Sequence, residues 1–318
     1  MNLRIGSRGS QLALWQAHHI AALLRGQGHS VEIEIVKTTG DRMQEIAFAQ
    51  VGSKGMFTKE IEEALADGRV DLAVHSLKDL PTELPEGFAL RATPPRVDPR
   101  DVFVSVRHLD LATLPDRARV GTSSQRRRAQ LKALRPDVEA VEFRGNVDTR
   151  LRKLAEGQVD AVLLAAAGLD RLGRTDWVRE RIDPRQFCPA AGQGALGIEA
   201  RSNDEATMEA VAFLDHEDTR FAVTAERAAL ACLGGGCQVP IGVYCRPCVS
   251  SPHHQPGAWD EIFGVVASPL TGQVVRVHHC SPRQGNDPST LGRLAARMLM
   301  DAGAGPLLTA GGEAPGAA

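Results

Sequence analysis

The stretch "VHSLKDLP", residues 74–81, ends an apolar run with a histidine, Ser76, Lys78 and Asp79 in close order. A lysine can hold an anion, and a neighbouring carboxylate can meet a cation or an N–H group as charge develops in a reaction. The same aspartate could equally serve only the turn before Pro81. Two further stretches, "GSRGS" (6–10) and "GTSSQRRR" (121–128), put hydroxyls and cations where a strand yields to a helix. Free N–H groups and the helix dipole favour anions at such places. Arg126, Arg127 and Arg128 oppose that dipole, so either a polyanion neutralises them or they form a solvated face. "FRGNVDTRLRK" (143–153) adds Arg144 and Arg150, whose planar forks suit carboxylates and phosphates alike. A fourth stretch, "LGGGCQVPIG" (233–242), sets one cysteine behind three glycines. Cys237 is either a small buried hydrophobe in a turn or a thiol that something must approach closely.

Other candidates carry less. "GQGALG" (192–197) fits a dinucleotide-binding glycine pattern, but "FCPAA" before it is a poor strand and "LGIEA" after it reads as a strand. A crossing between lobes suits it better. "CRPC" (Cys245, Cys248), with histidines and Cys280 farther on, is a weak zinc signal because no second paired motif accompanies it. No metal is expected. A cysteine hydrolase built on Cys237 lacks a recognisable base.

The elements that must position these residues follow from the apolar patterning. Strand-like runs alternate with helical patterns over roughly the first 200 residues, predicting α/β layers with parallel strands. Ser10 is placed to cap the first helix. "RVGTSSQRRRAQLKAL" repeats the plan of "RIGSRGSQLAL", and "KLAEGQVDAVLLAAAGLDRL" repeats that of "EALADGRVDLAVHSLKDL". Two similar lobes make the cleft between them the natural ligand site. Beyond residue 213 a helix, strand-like pieces and a final helix predict a small α+β domain with an antiparallel sheet. The expected limits are 1–94 with 195–212 for the first lobe, 100–188 for the second, 217–305 for the third domain, and a flexible tail at 306–318.

Composition bounds the partners. Charged residues make up 24%, aromatics 4%, and the net charge is −2, which gives no electrostatic case for nucleic acid or a membrane surface. The start of the chain lacks the apolar core of a signal peptide, and no run is long enough to span a bilayer, so a cytoplasmic protein with reduced cysteines is expected.

Nine segments in order, among them "RIGSRGSQLALWQA", "VGSKGMFTKEIEEAL", "RDVFVS", "RGNVDTRL", "PAAGQGALGIE" and "GGGCQVPIG", resemble the porphobilinogen deaminase (hydroxymethylbilane synthase) family. The resemblance spans residues 3 to about 244. It implies two lobes like those of periplasmic ligand-binding proteins plus an α+β domain. It implies head-to-tail condensation of four porphobilinogen molecules with loss of ammonia. It further implies a monomer with a dipyrromethane cofactor held through a thioether on Cys237. By family position Arg8, Ser10, Lys54, Ser76, Lys78, Arg126, Arg127, Arg144, Arg150 and Arg171 would meet pyrrole carboxylates. Thr122, Ser124 and Gln193 would add hydrogen bonds, and Asp79 would be the catalytic carboxylate. Gln50 departs from relatives with a lysine there, so no contact is assigned to it; "GSK" in place of "GGK" keeps Lys54. A non-catalytic two-lobed anion-binding protein is the alternative, though it gives Cys237 nothing to do.

Overall fold

The computed structural model describes residues 1–38, 58–235, 239–248 and 259–310. Gln50, Lys54, Cys237, His253 and His254 lie outside the described residues. Strand β1 (Asn2–Ser7) leads into helix α1 (Gln11–Gly26), where the Ser10 hydroxyl accepts the Ala13 N–H at 3.3 Å and so caps the first turn. Strand β2 (Ser30–Ile35), helix α2 (Lys59–Ala66), strand β3 (Leu72–Ser76) and strand β4 (Phe88–Ala92) follow.

The chain then crosses to a second sheet through residues 93–100. There strand β5 (Asp101–Val104) and strand β6 (Arg119–Gly121) precede helix α3 (Gln125–Leu134) and strand β7 (Glu139–Val141). Helix α4 (Val147–Ala155), strand β8 (Ala161–Ala165), helix α5 (Ala166–Arg171) and strand β9 (Val178–Arg181) complete this lobe. A second crossing returns the chain to the first sheet as strand β10 (Leu196–Arg201), followed by helix α6 (Glu205–Val211).

The two sheets have orders β2-β1-β3-β10-β4 and β7-β6-β8-β5-β9, which correspond position by position. The repeat seen in the sequence is thus a repeat of topology. Strands are parallel except in the fourth position, where β10 and β5 run antiparallel to both neighbours. Those two strands arrive from the opposite lobe and therefore enter the sheet from its other end, which corrects the expectation of parallel strands alone. Each lobe buries its own apolar face: Leu3, Ile5, Ile20, Leu72 and Ile198 in one, Phe103, Val120, Leu131, Leu163 and Phe187 in the other.

The third unit begins with helix α7 (Glu217–Cys232), then strands β11 (Ile241–Pro247), β12 (Trp259–Ala267) and β13 (Val274–Pro282), and helix α8 (Pro288–Asp301). The three strands form an antiparallel sheet, and α7 and α8 cover the face bearing Val243, Cys245 and Ile262. The tail is not fully loose: helix α9 (Gly305–Ala310) follows, with Leu307 buried in that core. Residues 311–318 lie outside the described ones. Among the described residues no helix is long and apolar enough to cross a membrane.

Candidate active site

Between the lobes lies a cleft of about 480 Å³, open to solvent. Its walls come from places where strands end and helices begin: Arg8 and Ser10 after β1, Ser76, Lys78 and Asp79 after β3, Arg127 in the first turn of α3, and Arg144 and Arg150 around the start of α4. Arg171, at the end of α5, completes them. The lining thus holds six cations, Arg8, Lys78, Arg127, Arg144, Arg150 and Arg171, against three carboxylates, Asp79, Glu142 and Asp148. That excess, in a chain of net charge −2, calls for a multiply anionic ligand.

Two of these cations are poorly compensated among the described residues. Arg150 donates to the Ser123 hydroxyl at 3.2 Å, while its buried Nε has no hydrogen-bond partner among the described residues. Arg171 donates to the Gly194 carbonyl at 2.8 Å and lies over the Trp15 ring. Burial lowers both guanidinium groups to about 10. Lys78 is likewise lowered by burial, to about 8, with Asp79 offsetting part of the effect. A bound carboxylate would restore what burial removes from each.

Asp79 closes a short 3₁₀ turn, Leu77–Asp79, in which Leu77 is buried and anchors the backbone. Its side chain is exposed to the cleft and has no hydrogen-bond partner among the described residues. Ser76, one turn back, accepts a hydrogen bond from the buried Gln16 amide at 2.8 Å.

Four of the anticipated residues stand behind the cleft wall. Arg126 gives Nη1 to Asp101 at 2.6 Å and to the Cys188 carbonyl at 2.7 Å, so its charge is used internally. Thr122 is buried and accepts from the Ser124 N–H, and Ser124 caps α3 by accepting from the Arg127 N–H. Gln193 accepts from Lys78 Nζ at 3.3 Å and donates to the Pro99 carbonyl and to Asp101. The three-arginine turn is therefore neither a solvated face nor a set of ligand clamps alone. Arg126 and Arg127 share Asp101, and Arg128 meets Glu142 at 2.7 Å.

Asp101 is the residue that motif reading missed. Fully buried at the start of β5, it accepts from Arg126, Arg127 and Gln193. Burial alone would raise its carboxyl, but the two guanidinium groups hold it well below the usual carboxylate range. Its stabilising contribution is therefore present above the unfolded carboxylate pKa and lost as pH falls through the folded one. Asp101→Asn is expected to cost about 3–5 kcal/mol at neutral pH, since it strands two buried cations. Urea unfolding measures this, and a variant within about 0.5 kcal/mol of wild type refutes it.

Glu226, on α7, was also missed. Buried, it pairs with Arg96 of the first crossing at 2.6 Å and accepts the Gly192 N–H of the second at 2.7 Å and the Cys245 N–H at 2.8 Å. One carboxylate thus ties both crossings to the third domain. The glycines of "GQGALG" serve this junction. Gly194 has φ +88°, and a Cβ there would sit 2.7 Å from the Val97 carbonyl oxygen, so the two crossings could not approach with any side chain in that place.

Fold and site together define a two-lobed α/β protein whose cleft is lined by an excess of cations beside an exposed carboxylate. Residues 3–209 match the family model described as "Porphobilinogen deaminase, dipyromethane cofactor binding domain", and residues 220–248 match "Porphobilinogen deaminase, C-terminal domain". The porphobilinogen deaminase of Nitratidesulfovibrio vulgaris strain Miyazaki F is 49% identical over 313 residues, 96% of each chain. That of Syntrophomonas wolfei is 45% identical over 311 residues, covering 96% of this chain and 98% of the relative. The methionine binding protein MetQ, a solved structure, has a TM-score of 0.44 at 11% identity over 71% of this chain and 94% of its own.

The chain belongs to the porphobilinogen deaminase family. Its activity is that of a transferase, hydroxymethylbilane synthase: four porphobilinogen molecules are joined head to tail with release of ammonia, on a dipyrromethane cofactor. A non-catalytic anion-binding role is not favoured.

Proposed function

We propose that Asp79 performs the chemistry of each condensation and that the six cleft cations hold the acetate and propionate groups of the pyrroles. Loss of ammonia from porphobilinogen leaves an electron-poor azafulvenium, and a carboxylate already in place offsets that charge without reorganising. The cleft's composition carries the reading: an exposed carboxylate at a strand end, with no hydrogen-bond partner among the described residues, in a wall of cations that includes the buried Arg150 and Arg171.

The same wall fits the cofactor. Arg150, with its orphaned Nε, and Arg171 have hydrogen-bonding capacity that the carboxylates of a dipyrromethane satisfy. When bound, that group supplies the primer for chain growth. Cys237 is its proposed attachment point and Lys54 a further carboxylate partner; both lie outside the described residues. Ser10 and Ser76 offer hydroxyls at the cleft wall. Gln193 positions the Lys78 ammonium, Thr122 and Ser124 shape the start of α3, and Arg126 acts through Asp101 by fixing Arg127.

The proposed domain limits are 1–94 with 195–212, 100–188 and 217–305, supported by the membership of the three sheets. We place the enzyme in the cytoplasm as a monomer that engages neither nucleic acid nor membrane, in keeping with its net charge of −2.

Arg150→Leu tests the assignment. It removes charge-assisted hydrogen bonds worth about 1.5–3 kcal/mol each, so elongation is expected to slow about 10–100-fold. Intact mass spectrometry after a substrate pulse should show stalled forms spaced by one pyrrole unit. Normal turnover with no such ladder would remove Arg150 from the binding wall.

A further inference from the structure

The sheet of the third domain brings together four donors that the condensation does not use. β12 and β13 pair with Glu261 directly opposite Cys280, and β11 and β12 pair with Arg246 opposite Glu261. Side chains two residues apart on a strand share a face. Cys248, two beyond Arg246, and His278, two before Cys280, therefore join Glu261 and Cys280 on one face. Cys245 points the other way, into the helix-packed core. The "CRPC" pair is thus split by the pleat, and the real partner of Cys248 is Cys280.

We propose that Cys248, His278, Cys280 and Glu261 form a binding site for one divalent cation of the zinc class, pinning together the three strands of this domain. Ligand atoms of Cys248, Glu261 and Cys280 all lie within 4.8 Å of one another. Cys280 Sγ is 3.6 Å from His278 Nε2, and that nitrogen is 3.0 Å from Glu261 Oε2. Zinc bond lengths at a tetrahedral centre require sulfur–nitrogen edges of about 3.5 Å and sulfur–sulfur edges of about 3.8 Å, so Cys280, Glu261 and His278 need only small adjustments, while the His278 imidazole must close on Cys248, the one donor it does not yet approach. Two sulfurs, an imidazole and a carboxylate select a borderline-soft ion over magnesium or calcium.

The surroundings suit a cation. His278 is stacked on Phe263, with ring centroids 4.4 Å apart and planes at 4°, which fixes the imidazole. Glu261 Oε1 accepts from Arg246 Nε at 2.6 Å, which leaves Oε2 facing the cluster. Binding releases the two thiol protons to solvent; the His278 proton that Nε2 donates to Glu261 is given up as the metal takes that nitrogen, and Nδ1 takes one from solvent, so the imidazole stays neutral. Two thiolates and a carboxylate around a divalent ion leave one net negative charge, which Arg246 offsets. Cys280 is exposed and the His278 side chain is 51% exposed, so an ion can enter from solvent. The face carrying the site also bears Tyr244, Phe263 and Val265, which pack against Cys188 of the second crossing. Holding its strands therefore stiffens the domain that carries Cys237.

The test uses reduced, chelator-stripped holoenzyme titrated with Co²⁺ alone. One equivalent is expected to produce thiolate-to-cobalt charge-transfer and tetrahedral ligand-field bands, which Zn²⁺ abolishes, and Zn²⁺ is expected to raise Tm. Cys248→Ser and Cys280→Ser should each lose the thiolate bands while keeping wild-type turnover, which reports that they fold. Cys232→Ser should leave the bands intact, and His278→Gln should weaken binding at least about tenfold. Absence of thiolate bands in the stripped wild type would overturn the site. So would their persistence in the Cys248/Cys280 double variant, or a Cys248–Cys280 disulfide surviving in the reduced holoenzyme.

Discussion

Asp79→Asn is expected to fold, load its cofactor and turn over at least about 10²–10³-fold more slowly than wild type, the usual cost of one preorganised electrostatic group. The loss can exceed that range because the same carboxylate serves all four condensations. The geometry makes the variant clean. Asp79 has no hydrogen-bond partner among the described residues, and its turn is anchored by buried Leu77 and Leu80, so removing the charge leaves the backbone supported. Asp79→Glu keeps the charge on a longer arm and should retain more activity than asparagine. If the residue merely shaped the turn before Pro81, asparagine, a good turn former, would be nearly silent. Measured kcat values for the two variants, with cofactor content checked by mass, decide between these outcomes.

Cys237→Ser is expected to lack the mass increment of two pyrrole units and to make no product. Attachment through a thioether needs an accessible thiolate, and the environments of the other cysteines help to single out this position. Burial pushes Cys188 up to about 12, and its thiol donates to the Phe263 carbonyl. Burial also raises Cys245 well above the ordinary thiol value. Cys232 ends α7 and is exposed, which makes it the control. Peptide mapping of the wild-type protein should place the increment on the "GGGCQVP" segment. An increment on a peptide containing Cys232 or Cys188 would move the attachment and refute the assignment.

Much of this molecule could be read from neighbours along the chain. Ser10 and Ser124 stand just before apolar-periodic runs, and both cap helices in the structure. The repeated βα phrasing of the two halves reappears as two sheets of matching strand order. The cleft wall was legible for the same reason: Arg8, Lys78, Asp79, Arg127, Arg144 and Arg150 all sit at or near strand–helix junctions, and such junctions face a ligand crevice in α/β sheets. Tertiary structure alone decided which charges oppose one another across elements. Nothing within "RDVFVS" marks Asp101 as the counter-ion of two arginines 25 and 26 residues away, because that pairing depends on β5 entering its sheet beside β8. Glu226 gave no local signal either, since its partners lie on both crossings. The cysteines show the limit most plainly. Three residues of spacing made Cys245 and Cys248 look like a pair, but a strand turns side chains to alternate faces, and strand register instead placed Cys248 beside Cys280, 32 positions on. Sequence spacing specifies what shares a turn or a face of one element; which elements become neighbours is settled by the burial of apolar faces, and ion pairs, hinges and ligand clusters inherit that outcome.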